Sequence, residues 1–201
     1  DLDNSTTDVT YTGTMYNDDF DEAASSVDAK FTLRGTVTKA CALGGVDLQG
    51  GGLDNNGLLN MGTIGIEAGD DTSVSEQFEM AGPIEIDINS PTGGCNYNNR
   101  VTVTKDHIDG LRNLSPGNYD SAQFRTSIPY QASFKFTGVV SGTGTGTAQA
   151  ITASTAQVSN TGTFGAWRSA WELDIDAPAV TDKGLVGGTY EGVVTVLVEI
   201  I

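Results

Sequence analysis

The stretch Glu191–Ile200 reads EGVVTVLVEI. Val194, Val196, Val198 and Ile200 fall on one face at the two-residue period of a strand. Leu197 and Val193 make the opposite face apolar too. A strand apolar on both faces is expected to be central and buried, with a neighbour on each side. An apolar strand left at an edge is an aggregation hazard. One way to supply a missing neighbour is a strand from another molecule, which adds main-chain hydrogen bonds and fills pockets with alternate side chains. The fold therefore turns on what lies beside this strand.

A candidate lies near the other end of the sequence. AKFTLRGTV, Ala29–Val37, alternates strictly: Ala29, Phe31, Leu33, Gly35 and Val37 form its apolar face. Gly35 suits a place where another backbone comes close. Residues 1–28 precede it, with eight acidic side chains and no Lys or Arg. Within them DVTYTGTMY also alternates, placing Val9, Tyr11, Gly13 and Met15 on one face. Alternation and aromatic residues argue against a purely disordered acidic tail. Either segment can be the donated strand, with Ala29–Val37 the leading candidate.

The rest of the chain is punctuated alternation. PIEIDINS carries Ile84, Ile86 and Ile88 on one face, and RVTVTKD carries Val101 and Val103. IPYQASFKFTGVV offers Tyr130, Ala132, Phe134 and Phe136, and SAWELDID offers Trp171, Leu173 and Ile175. QGGGLDNNG, SPTGG, LSPGN, SGTGTGT and VGG read as turns between them. No run of a dozen residues keeps a helical period. The expected class is all-β, an antiparallel sandwich. Residues 141–163 are low in complexity and read either as a flexible loop or as thin Thr-rich edge strands.

The 201 residues suffice for one domain plus an arm, here 1–38 and 39–201. With 26 acidic against 10 basic side chains the formal charge is −16, which repels phosphate backbones and argues against nucleic acid. No apolar run approaches the roughly 20 residues of a membrane-spanning helix, so no membrane insertion is expected. The chain opens on Asp1 and its first Met is Met15. That reads as a processed N-terminus of a secreted protein. Cys41 and Cys95 are then either two buried thiols or, as secretion favours, a disulfide.

Three further pieces point to a family. FTLRGTVTKACALGG is an alternating strand with a glycine on its inward face, followed by a cysteine. SPTGGCNYNNRVTVTKDHIDGLRN has a Cys-Asn pair before a strand and then the turn Asp109–Asn113. GGTYEGVVTVLVEI has a Gly-x-Tyr before a Val-rich strand. In this order they resemble the subunits of chaperone–usher pili, in the archaic, spore-coat-U-like branch. The resemblance implies an incomplete immunoglobulin-like β-sandwich completed by a donated strand, and a head-to-tail filament of identical subunits. It also implies a periplasmic chaperone and an outer-membrane usher during assembly, and a place on the cell surface in adhesion or biofilm. It makes Cys41–Cys95 the disulfide, Ala29, Phe31, Leu33, Gly35 and Val37 the groove-filling positions, and Val194, Val196, Val198 and Ile200 the groove. About 28 residues precede the matching strand, where the family has a short extension. That departure is what keeps Val9, Tyr11, Gly13 and Met15 open as the alternative donor.

Catalytic chemistry is not expected, nor a cofactor or metal. The one histidine, His107, lies in a polar turn and has no recognisable nucleophile partner. Glu85 with Asp87, and Glu172 with Asp174 and Asp176, each share a strand face and read as solvated. DLDNSTTD matches the start of a calcium loop but lacks its glycine and final glutamate. NST and NLS, at Asn4 and Asn113, fit the glycosylation pattern. The competing reading is a secreted sandwich that binds sugar or a host surface, with Trp167 and Trp171 as a stacking platform. A fibre of another strand-exchanging lineage, such as a biofilm-matrix jelly roll, is a third.

Overall fold

The computed structural model describes residues 30, 32–44, 46–47, 53–54, 57–67, 77–140 and 144–201. The chain divides into two units, Asp1–Val37 and Thr38–Ile201. Among the described residues every regular element is a strand. They are β1 (Cys41–Ala42), β2 (Val46–Asp47), β3 (Leu53–Asp54), β4 (Ile84–Cys95), β5 (Asn99–Lys105), β6 (Leu111–Asn113), β7 (Phe124–Arg125) and β8 (Ser127–Ile128). They continue as β9 (Gln131–Gly138), β10 (Thr147–Ala153), β11 (Ser159–Phe164), β12 (Trp167–Ala177), β13 (Gly184–Leu185), β14 (Tyr190–Glu191) and β15 (Val194–Ile200). The protein is all-β.

Two antiparallel sheets form the body. One has the order β1-β4-β12-β9-β10 and the other the order β11-β5-β15. Their inner faces follow from the alternation: Ala132, Phe134 and Phe136 of β9, Leu173 of β12, and Val101 and Val103 of β5 are buried. Aromatic rings fill the middle. Phe134 packs on Trp171 at 5.3 Å between centroids, and Phe136 on Trp167 at 4.4 Å and edge-on to Phe164 at 4.9 Å. Such contacts add about 0.5–1.5 kcal/mol each beyond burial. The indole donors find acceptors, Asn99 Oδ1 for Trp167 and the Leu43 carbonyl for Trp171. Lys105 closes one end of the core. It is fully buried, and its Nζ donates to the Tyr130 and Ser154 carbonyls at 2.8 Å each.

Several expectations change. SPTGG is not a turn but the continuation of β4. It stays in the sheet because two residues, Pro91 and Thr92, face the single Ala170 of β12, where the register shifts. Proline is tolerated at such a bulge. The glycines answer to β12: a Cβ on Gly93 would lie 2.6 Å from Trp171 Cδ1, and one on Gly94 2.0 Å from the Trp167 carbonyl oxygen. In residues 141–163 the loop reading gives way to two edge strands: β10 pairs with β9 and β11 with β5. The turn in DGLRN shrinks to the residues before β6. Gly110 takes φ +86°, where a Cβ would strike the Ile128 carbonyl oxygen.

Cys41 and Cys95 form a disulfide across β1 and β4, where they are register partners. Such a bond belongs to an oxidising, non-cytoplasmic environment. The cysteines are 54 positions apart; closing a loop of that size contributes on the order of 4 kcal/mol in the chain-entropy model.

Candidate functional site

The strand orders place the edges. Sheet one ends in β1 and β10, and sheet two in β15 and β11. On one side β10 lies against both β11 and β5, and β9 against β5. A short turn at residues 154–158 joins β10 to β11, and Val140 bridges Phe164, so this side is closed. The other side differs. There the strand of the first sheet that lies against β15 is the short β1, which borders β4 at its Gly94–Cys95 end.

That seam is where apolar surface is left over. β15 pairs with β5 alone along its whole length, from Val194↔Lys105 to Ile200↔Asn99. It is therefore an edge strand among the described residues, not the central strand its composition suggested. Val194, Val196 and Val198 pack against the core but stay half-buried, Ile200 is exposed, and Leu197 on the outer face is 50% exposed. Opposite, β1 covers only the Gly94–Cys95 end of β4. Among the described residues the remaining length of β4 pairs with β12 alone, and its Ile84 and Ile88 also stop at half burial. Among the described residues two strand edges thus border one partly open apolar strip, and β15 has no ladder partner on that side.

Sequence reasoning assigned Ala29, Phe31, Leu33, Gly35 and Val37 to a strand. Ala29 and Phe31 lie outside the described residues, as do Val9, Tyr11, Gly13 and Met15. Residues 32–37 form no ladder. Leu33 is 96% exposed and Val37 83%, and a Cβ on Gly35 would have nothing within 4 Å. The alternation is real, yet among the described residues no strand pairs with residues 32–37. Anchoring begins one residue later. Asn96 donates from Nδ2 to the Thr38 carbonyl and accepts at Oδ1 from Ala40 N–H, both at 2.8 Å. Lys39 Nζ sits 3.6 Å over the Tyr97 ring.

The other residues singled out from sequence separate cleanly. Trp167 and Trp171 are core residues and offer no exposed stacking platform. His107 Nε2 meets Arg112 Nη1 at 2.7 Å, and its Nδ1 lies 3.8 Å from Asp109 Oδ2. The Asn113 amide is buried and held by the Val186 and Gly187 carbonyls, so the NLS sequon is closed. The acidic faces are not simply solvated. The β4–β12 register sets Asp174 beside Asp87 and Asp176 beside Glu85. Asp174 is only 9% exposed. Sequence reading missed Lys135, which reaches across from β9 to Glu172 Oε1 at 3.0 Å and to Asp174 Oδ2. Its signal was the alternation of β9, which puts Lys135 on the outer face. Burial alone would push the Asp174 carboxyl up. The Lys135 ammonium, with the neighbouring carboxyls, holds it below its ordinary value instead.

No protein-family model matches the chain, and neither a curated protein nor a solved structure matches it.

Proposed function

We propose that this chain is the structural subunit of an extracellular pilus that polymerises by strand donation. The observation that carries the reading is the unequal seam. Among the described residues β15 has one ladder neighbour, its Val194, Val196 and Val198 are half-buried, and Ile84 and Ile88 of β4 are half-buried too. A strand laid along β15 satisfies its main-chain groups and covers this strip at once. Residues 29–37 have the required form: an alternating apolar face, a glycine within it, and no ladder in residues 32–37 of the isolated chain. Donation to a neighbour is head-to-tail, does not close, and gives an open filament.

In this reading the sandwich is immunoglobulin-like and incomplete. A periplasmic chaperone occupies the seam before assembly and an outer-membrane usher delivers the subunit, as the resemblance to archaic chaperone–usher pilins implies. The acidic, Thr-rich exterior suits a solvated fibre surface, and polymerisation needs no catalytic residue. Adhesion and biofilm formation are the roles such a fibre serves. The buried tryptophans weaken the sugar-binding alternative.

The test is a cryo-electron-microscopy reconstruction of the filament assembled from the full chain. Density for residues 29–37 beside β15 of a neighbour supports donation by that segment. Density for Val9–Met15 there reassigns the donor. An arm lying along its own subunit, or no filament at all, refutes the reading.

A further inference from the structure

Asn96 holds the chain just before β1 with its side chain as well as its backbone. It lies one residue past β4, and its N–H donates to the Ala40 carbonyl at 3.1 Å. Its side-chain amide then serves two more groups of the same segment. Oδ1 accepts from the Ala40 N–H and Nδ2 donates to the Thr38 carbonyl, both at 2.8 Å. A carboxamide offers an acceptor and a donor, as a peptide unit does. The Asn96 side chain therefore stands in for a strand residue and carries the β1–β4 pairing past the Cys41↔Cys95 pair as far as Thr38. Asparagine meets both demands, whereas aspartate meets one. An ionised carboxylate accepts from Ala40 but sets its other oxygen against the Thr38 carbonyl.

The next fastening along the chain is the disulfide at Cys41. With Cys41 tied to Cys95, residues 38–40 close onto Asn96 over a short loop, which costs little chain entropy. Lys39, between the two held residues, sets its ammonium over the Tyr97 ring, a cation–π contact. On the N-terminal side the attachment stops. Among the described residues 32–37 join no ladder, and Leu33 and Val37 are exposed. The division into two units falls between Val37 and Thr38.

We infer, resting on strand donation by residues 29–37, that Asn96 fixes the junction between neighbouring subunits and so sets the stiffness of the filament. Val37 is the last residue on the donor's apolar face, and Thr38 is the first residue fastened to the body. No free residue lies between them. Any force carried along the chain from one subunit to the next passes this point, and with the Asn96 amide in place the donated strand and the body behind it turn together. Without the amide, Cys41 becomes the first side-chain fastening. Residues 38–40 then act as a linker which, at about 3.3–3.6 Å per residue, spans about 10 Å. A strand held through such a linker keeps its place in the neighbour's seam while the two bodies swing. Asn96 is thus a positioning residue for the junction and is not required for donation itself.

The test measures persistence length and the spread of subunit-to-subunit angles in electron micrographs of filaments from the full chain, from Asn96→Asp and from Asn96→Ala. At neutral pH both variants are expected to polymerise into filaments with a shorter persistence length and a wider spread than the parent. Below the usual aspartate value of about 3.9 the introduced carboxyl gains a proton and offers one donor and one acceptor. Asn96→Asp then regains the stiffness of the parent at the same pH, while Asn96→Ala stays soft. A merely structural role in the monomer gives no such recovery of stiffness. Should Asn96→Ala not fold, Asn96→Asp read across pH decides alone. Variant filaments as stiff as the parent's, or a folded variant that no longer polymerises, overturn the role of Asn96 and leave donation standing. A parent filament completed by another segment, or no parent filament, overturns donation by residues 29–37 and the role of Asn96 with it.

Discussion

Leu33 offers a clean separation between the folding of a subunit and the stability of a fibre. In the isolated chain its side chain is 96% exposed. Leu33→Ala therefore removes almost no buried surface from the monomer, and an exposed substitution of this kind changes stability by no more than about 0.5 kcal/mol. Once residues 29–37 lie along a neighbour's β15, the same side chain enters the strip between Val194, Val196, Val198 and Ile84, Ile88. Truncating a buried Leu to Ala costs about 2–5 kcal/mol, transfer and cavity together. At about 1.4 kcal/mol per factor of ten, each subunit contact weakens by roughly 30-fold to several thousand-fold. Two assays read the two states. Denaturant unfolding of the unpolymerised subunit gives the first number. Depolymerisation of assembled filaments, followed by size-exclusion chromatography across the same denaturant series, gives the second. A monomer destabilised by more than about 1 kcal/mol, or filaments of unchanged stability, would refute the assignment of Leu33 to a neighbour's seam.

Other substitutions probe the domain itself. Gly93→Ala puts a Cβ against Trp171 in the sheet interior; overpacking of this kind costs about 1–3 kcal/mol, seen as a lowered denaturation midpoint with an unchanged slope. Lys105→Met leaves the Tyr130 and Ser154 carbonyls without their donor, a loss of about 1–3 kcal/mol for each acceptor that stays dry. Burial, then the charge of Asp106, pushes the Tyr130 hydroxyl up to about 12. The folded state thus holds its proton where the unfolded chain releases it near its usual value of about 10. The resulting stability is complete below that pH and is lost as pH rises through the folded value, and Tyr130→Phe flattens the fall in a pH series of melts. Reduction of Cys41–Cys95 lowers unfolding free energy by on the order of 4 kcal/mol, measured by denaturation with and without reductant.

The alternation of apolar residues was enough to identify β4, β5, β9, β12 and β15. Val101 and Val103, Ala132, Phe134 and Phe136, and Trp171 and Leu173 sit inward as their period requires, because a strand sends successive side chains to opposite faces whatever its neighbours. The two cysteines, read together with the signs of secretion, also suggested the disulfide of Cys41 and Cys95. Two things were not legible. SPTGG carries every local mark of a turn, yet β12 holds it in the sheet, since the bulge at Ala170 and the ring of Trp171 are reached only across strands. The place of Val194–Ile200 in its sheet was hidden as well. A strand's own residues state how much apolar surface it brings, but only strand order states how much of it is covered, and here that order leaves one side open. The same holds for Asp87 and Asp174. They are 87 positions apart in the chain, and register, a property of paired strands, is what makes them neighbours.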